Sequence, residues 1–239
     1  MNIQKILSKT RQAVEKYGMI NKGDRIAVGV SGGKDSLVLL TALALMSRFD
    51  DYSYSLVAYT VDNGAENAPS FDAVESYCAD LGVEYKLIKT EIAKIVFDVR
   101  QEENPCSLCS KLRRGALADA ALSDGCGVLA LGHHMDDVCE TYIMNILQAG
   151  RAGCFFPVTE YENTGMRVIR PLIYTREHEI ASFAKANDLP VISRTCAADG
   201  VTEREHVKEL LHAEDARHRG VYRRILGALE RSGTDTWHE

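Results

Sequence analysis

Three groups of residues in this chain can do chemistry. The first is Ser31-Gly-Gly-Lys-Asp-Ser36, flanked by a buried strand (Arg25 to Val30) and the start of a helix (Leu37-Val-Leu-Leu40). A parallel strand that feeds a helix through glycines aims backbone N–H groups and the positive end of a helix dipole at one point, which suits a phosphate. Gly32 and Gly33 let an anion approach the backbone closely. Lys34 adds a mobile positive charge, and Asp35 or Ser36 can cap the helix. The stretch is not a Walker A loop: the first glycine of that motif would fall at Val28, and Asp35 stands where Ser or Thr should follow the lysine. The glycine pattern of a dinucleotide-binding turn is absent too. An ordinary strand-to-helix turn would need one or two glycines, not the Lys-Asp-Ser that follows.

The second group is Pro105-Cys106-Ser-Leu-Cys109-Ser-Lys-Leu-Arg113-Arg114. Cys106, Cys109 and Arg113 stand at offsets that share one face of a helix. A helix start lowers thiol pKa and favours metal ligation. Such a pair can be half of a structural zinc site, a redox pair or two core cysteines. A second Cys-x-x-Cys, as a zinc ribbon needs, is missing. A third ligand must come from Cys78, Cys126, Cys139, Cys154 or Cys196. Cys78 and Cys126 read as core. Cys139 and Cys154 compete with Cys196, which is favoured because it sits in a polar loop after an expected strand, Pro190 to Ile192. Three thiolates suit an iron–sulfur cluster with one iron left open, and open iron takes a soft ligand such as sulfide.

The third group is Gly132-His-His-Met-Asp136-Asp137, at the end of an expected strand and so facing the same crevice as Ser31 to Ser36. Two adjacent carboxylates there can hold Mg²⁺ on a bound phosphate or orient a reacting base. His134 reads as a helix cap or core group. Asp62, at the end of the second expected strand, is placed to meet a nucleotide or to serve as a turn carboxylate.

These groups need a scaffold, and the pattern supplies one. Helices are expected at Ile3 to Tyr17, Leu37 to Met46, Ser70 to Leu81, Ser107 to Leu122, the stretch running on to Leu147, Thr175 to Asn187 with a cap at its start, Thr202 to Leu211 and Ala216 to Leu229. Strands are expected at Arg25 to Val30, Tyr54 to Val61, Val83 to Ile88, Gly127 to Leu131 and Met166 to Pro171, with 148 to 165 as a loop. Alternating strands and helices predict an α/β fold: a parallel, Rossmann-like sheet with helices on both faces and a helical C-terminal extension. The expected division is 1–22, an N-terminal helix; 23–195, the catalytic domain; and 196–239, the extension.

Hydrophobic residues make up 46% of the 239 and charged residues 26%, as in soluble globular proteins. No apolar run is long enough to span a membrane, and the first residues lack a signal-peptide core, so no membrane partner and a cytoplasmic location are expected. Seven cysteines in that setting point to metal or catalysis before disulfides. A net charge of −6 means that nucleic-acid binding needs a local basic patch. Arg217, Arg219, Arg223 and Arg224 form one such run, unless they are only a solvated helix face.

Ser31 to Ser36 resembles the PP-loop of ATP pyrophosphatases, which cleave ATP between the α and β phosphates. With Gly23-Asp-Arg-Ile, Leu81-Gly-Val-Glu-Tyr-Lys86, Cys106 to Gly115, Leu129 to Asp137 and Ile169-Arg-Pro-Leu172, most of the chain resembles the TtcA family, the tRNA 2-thiocytidine synthetases. That resemblance implies an adenine nucleotide alpha hydrolase-like fold, ATP with Mg²⁺, a 4Fe–4S cluster on three cysteines, and sulfur transfer to cytidine 32 of a tRNA. Sulfide or the persulfide of a cysteine desulfurase is the implied sulfur donor, and a homodimer is a further expectation. Cys106 and Cys109 carry over directly as cluster ligands, and Cys196 is the expected third. The family often has Cys-x-x-Cys or Pro-Cys-Pro there, where this chain has Ser-Arg-Thr-Cys196. Ser31, Gly32, Gly33, Lys34, Asp35, Ser36, Asp62, Gly132 and His133 are the expected nucleotide contacts. Lys34, Asp35, Asp136 and Arg113 are the expected catalytic residues. Thiolation of a tRNA uridine or a small molecule is the alternative within the superfamily. A nucleotide-binding protein with structural zinc is the alternative outside it.

Overall fold

Among the described residues, six strands form the sheet: β1 (Arg25–Gly29), β2 (Ser55–Asp62), β3 (Glu84–Lys89), β4 (Val128–Ala130), β5 (Val158–Tyr161) and β6 (Met166–Ile169). The structure is a computed structural model that describes residues 3–49, 51–65, 69–100, 105–192 and 203–232, apart from the side chains of Cys106 and Ser107. The strand order is β3-β2-β1-β4-β6-β5. Every pair is parallel except the β5–β6 hairpin. The chain winds outward from β1 through β2 and β3, then returns to the other side of β1 at β4. Loops leaving β1 and β4 therefore diverge over a crevice at the carboxyl ends of the strands, where open α/β sheets bind ligands.

The helices are α1 (Ile3–Lys16), α2 (Lys34–Met46), α3 (Asp72–Leu81), α4 (Ile92–Lys94, running on as a π-helical turn Ile95–Arg100), α5 (Pro105–Ser123), α6 (Met135–Ala149), α7 (Glu177–Ala186), α8 (Glu203–Arg217) and α9 (Val221–Arg231). Side chains alternate across each strand, and the strands sort them into two cores. Ile26, Val28, Val128 and Ala130 enter the larger core with α1, α2, α6, α7, α8 and α9. Ala27, Val57, Tyr59 and Leu129 enter the smaller core with Leu117 and Ala121 of α5. Helices thus cover both faces, as the alternating pattern implies. α2 is apolar all round because it lies on the sheet and beneath α1 and α7. Truncating a fully buried leucine there, such as Leu40, costs about 2–5 kcal/mol.

α1 is tied to α7 by charge. Glu179, buried in α7, accepts Lys5 at 2.8 Å and also Lys9. Burial would raise its pKa, but these two lysines hold it down to about 2. No helix among the described residues is long and apolar enough to cross a membrane.

Several elements differ from the sequence expectation. The 148–165 loop contains β5, whose Val158-Thr-Glu-Tyr161 pairs across a turn with β6. α5 opens at Pro105, two residues before the expected Ser107, since the first helical position needs no N–H. Leu189 to Ile192 is not a sheet strand; it is extended chain held by the Ile192 N–H on the Gly32 carbonyl (2.9 Å). α8 runs on to Arg217, and the turn before α9 is made at Gly220, with φ +91°. α7 starts two residues after Thr175, which is buried and does not cap it.

Candidate active site

The turn after β1 braces itself. The Ser36 hydroxyl accepts the Ser31 N–H (3.1 Å) and donates to the Gly33 carbonyl (2.9 Å), while the Ser31 hydroxyl accepts the Gly33 N–H (3.3 Å). Gly32 sits at φ +80°, and a Cβ there would meet Ile192 at 3.0 Å. α2 begins at Lys34 with Gly33 as its N-cap, and no side chain caps it. Neither Asp35 nor Ser36 is the cap, because both lie inside the first turn. The helix therefore presents its positive end to the crevice without a protein side chain satisfying it.

The loop after β4 abuts this turn. A Cβ on Gly132 would stand 3.1 Å from the Asp35 carbonyl carbon and the Ser36 nitrogen, so only glycine lets the two backbones approach so closely. His134 is the N-cap of α6: its Nδ1 accepts the Asp137 N–H (3.4 Å), and Asp137 Oδ2 accepts the His134 N–H (2.9 Å). The other ring nitrogen lies 3.6 Å from Asp35 Oδ1. His133 packs against Phe155 with the rings tilted and their centres 4.9 Å apart, and burial pushes its pKa down to about 4, so the ring is neutral. Asp136 is almost fully buried and turned toward α7: it accepts the Glu177 N–H (2.8 Å) and the Arg176 Nε (3.2 Å to either oxygen). Asp62 accepts the Gly64 N–H (3.0 Å), the turn-carboxylate arrangement.

α5 leads into β4, so it runs against the strands. Leu117 lies over Gly29, the last residue of β1. Eight residues earlier on the helix, Cys109 projects about 12 Å further along its axis, past the strand ends. Cys109 is a free, half-buried thiol, with Cys106 one turn before it and Arg113 one turn after. The Arg113 Nε is buried without a hydrogen-bond partner. Cys196 lies outside the described residues. The other described cysteines lie in the core or, for Cys154, pack half-buried against it. Cys78 and Cys126 are fully buried. Cys139 donates to the Tyr222 carbonyl and Cys154 to the Val138 carbonyl, each at 3.4 Å. Burial raises both thiols, Cys154 to about 12, so neither is a ready thiolate.

A family described as PP-loop domain matches residues 2–214 of this chain. The tRNA-cytidine(32) 2-sulfurtransferase of Geobacter sulfurreducens is 38% identical over 229 residues, covering 95% of this chain and 89% of that protein. The chain belongs to this PP-loop family, the tRNA 2-thiocytidine synthetases. The Aliivibrio fischeri tRNA-cytidine(32) 2-sulfurtransferase is 36% identical over 231 residues, covering 95% of this chain and 74% of that one. Among solved structures, the U34-tRNA thiolase NcsA from Methanococcus maripaludis with its [4Fe-4S] cluster superposes with a TM-score of 0.79 at 25% identity, covering 96% of this chain and 78% of that one. An NH3-dependent NAD synthetase from Campylobacter jejuni shares the fold at a TM-score of 0.55 and 17% identity, over 97% and 94% of the two chains.

The PP-loop of this family member is also held by residues that its sequence did not single out. Lys34 donates to Asp35 (3.2 Å) and to Glu177, the first residue of α7 (3.0 Å). Burial works against the Lys34 charge, but the two carboxylates more than offset it and its pKa is raised. Glu177 also takes Lys208 of α8 (3.0 Å). Burial would raise Glu177, yet the two lysines hold it down to about 2. Arg204 of α8 reaches Glu140 (3.1 Å) and Asp137 (3.5 Å), so α8 docks at the crevice through charge. Asp136, Glu177 and His212 offer ligand atoms within 4.8 Å of one another, but both carboxylates are already neutralised by Arg176, Lys34 and Lys208. No local sequence signal marks Glu177, Lys208 or Arg204, since all three act across the fold.

Proposed function

We propose that this ATP-dependent sulfurtransferase thiolates tRNA, replacing the C2 oxygen of cytidine 32 with sulfur. The observation that carries the reading is the juxtaposition of Ser31 to Ser36, an uncapped helix start with Lys34, and the Gly132 loop at the switch point of the sheet. ATP lies with its β and γ phosphates on the backbone of Ser31 to Ser36 and its remaining contacts on Asp62, Gly132 and His133. The C2 oxygen of the cytidine attacks the α-phosphorus, and pyrophosphate departs. Lys34 and the helix dipole stabilise the charge that builds on it, a preorganised electrostatic role. The base is left joined to AMP through oxygen, and AMP leaves when sulfur takes its place.

Asp35 fits Mg²⁺, because its Oδ1 is buried without a hydrogen-bond donor. Asp136 supports the site from behind: it holds Arg176 and the start of α7. Arg113, with an unpaired Nε one turn from Cys109, neutralises a phosphate of the adenylate or of the RNA.

The donor set fits a 4Fe–4S cluster held by Cys106, Cys109 and Cys196. Cys109 is a half-exposed free thiol in the opening turns of α5, while Cys139, buried, and Cys154, half-buried, each donate to a backbone carbonyl and have raised thiol pKa values. Ile192 is bonded to Gly32, and four further residues of chain span at most about 14 Å. That tether supports Cys196 as the third ligand. When bound, the cluster supplies an iron with an open position for the sulfur that is to be transferred.

The protein acts in the cytoplasm, on tRNA, with sulfide or a persulfide as sulfur source. Nucleoside mass spectrometry of a deletion strain tests the acceptor. Loss of 2-thiocytidine alone is expected; loss of a 2-thiouridine instead would make the uridine thiolase likeness the better guide.

A further inference from the structure

The Lys34–Glu177–Lys208 chain has a consequence for nucleotide binding. Two lysines from different helices share one carboxylate, each at 3.0 Å. Lys34 cannot serve a phosphate and Glu177 at full strength together, so nucleotide draws it off the carboxylate. But for Lys208, Glu177 would then stand as a bare anion beside a triphosphate. Its remaining contacts do not relieve this: its backbone N–H is on Asp136, another anion, and Arg176 is engaged with Asp136, Asp215 and the face of Tyr222.

We infer that Lys208 is a positioning residue for ATP: it keeps the Glu177 carboxylate neutralised when Lys34 turns to the phosphates. Glu177 in turn holds the Lys34 ammonium in the crevice before nucleotide arrives. The site for the triphosphate is thus completed from α8. This rests on reading Ser31 to Ser36 as the phosphate loop.

The test is ATP titration and steady-state kinetics on the full chain. Wild type and Lys34→Ala examine the loop itself: if wild type binds ATP no better than Lys34→Ala, that reading fails. Given that it stands, Lys208→Met should weaken ATP binding about tenfold, the scale of one like-charge contact at a partly screened site. It should raise KM for ATP and leave kcat within about twofold, since Lys208 touches no reacting atom. Lys208→Arg should behave as wild type. Adding Glu177→Gln to Lys208→Met should restore the affinity, because the repelling charge is gone. A structural role for Lys208 predicts no such rescue. Unchanged affinity in Lys208→Met, or a double variant as weak as the single one, overturns the inference. Glu177→Gln alone gives an independent check that does not depend on Lys208→Met folding: ATP affinity should not fall. A tenfold loss there would mean that the carboxylate itself supports nucleotide, which also overturns it.

Discussion

Asp136 on α6 accepts the backbone N–H of Glu177 on α7 at 2.8 Å, and so caps a helix forty-one residues away. The same carboxylate takes Arg176, whose guanidinium lies 3.6 Å from the centre of the Tyr222 ring on α9. One aspartate after β4 therefore fixes the helix start that carries Glu177, and through it the counter-charge of Lys34.

Asp136 and Asp35 should separate when each is changed to Asn. Asp136→Asn leaves the half-buried Arg176 with only the longer Asp215 contact (3.5 Å) and should cost about 2–3 kcal/mol in urea unfolding. Asp35 is more exposed, so Asp35→Asn should cost under about 0.5 kcal/mol while reducing ATP-dependent AMP release. Equal losses of stability would mean that Asp35 is also structural.

Lys34→Ala should lower turnover by roughly 10²-fold, as expected when a preorganised charge opposite a departing group is removed. The products with wild type should be AMP and pyrophosphate. ADP and phosphate as the main products would refute cleavage between the α and β phosphates.

The sequence reads well where structure is local. The strand into Ser31 and the uniformly apolar Leu37 to Met46 each leave a pattern, and each has its counterpart in β1 and α2, whereas the close approach of Gly132 to Asp35 is not legible. β5 escaped because four residues after a glycine-containing loop give too short an alternation. Thr175 looked like a cap because nothing nearby in sequence reveals that Asp136 does that work. The Lys34–Glu177–Lys208 chain joins residues 34, 177 and 208, which only the fold brings together.

Glu140 should give the protein an unusual pH profile. Burial first, then the nearby Asp137 charge, push its carboxyl up to about 7, and Arg204 and Lys208 only partly oppose them. A raised folded-state pKa contributes stability that is fully present below the ordinary value near 4.5 and is lost as pH rises through about 7. Glu140→Gln should therefore be more stable than wild type at pH 8, by about 2 kcal/mol, and no more stable at pH 4. Glu177 and Glu179, held near 2, have the opposite sign: their contribution is present above about 4.5 and lost as pH falls toward 2. Thermal unfolding of wild type and Glu140→Gln from pH 4 to 8 checks the difference.

The arginine run between α8 and α9 makes a testable RNA surface. Arg217, Arg219, Arg223 and Arg224 are all exposed, but Arg224 is turned back onto the carbonyls of His218 and Arg219. Replacing Arg217 and Arg219 with Ala should flatten the log–log salt dependence of tRNA binding by nearly one unit for each arginine–phosphate pair removed. Arg224→Ala should leave the slope unchanged and cost a little stability. An unchanged slope in the first variant would move the RNA surface elsewhere, with Arg151, Arg167 and α1 next to be examined.

The cluster assignment gives the most discriminating set of variants. Cys106 and Cys109 stand one turn apart on α5, but two thiolates alone do not complete the three-cysteine set. Of the remaining described cysteines, Cys78 and Cys126 are core, and Cys139 and Cys154 donate to backbone carbonyls and have raised thiol pKa values. Cys106→Ala, Cys109→Ala and Cys196→Ala should each lose thiolation and cluster-bound iron, measured on anaerobically purified protein by absorbance and iron content. ATP affinity should survive in all three, because Ser31 to Ser36 is braced by its own serines and by Ile192. Cys139→Ala and Cys154→Ala should keep iron and be destabilised by about 1 kcal/mol or more, through poorer packing and a missing hydrogen bond. Loss of iron in Cys139→Ala or Cys154→Ala, with retention in Cys196→Ala, would transfer the third ligand to α6 or the loop after it. A colourless protein carrying zinc at Cys106 and Cys109 would end the iron–sulfur reading altogether.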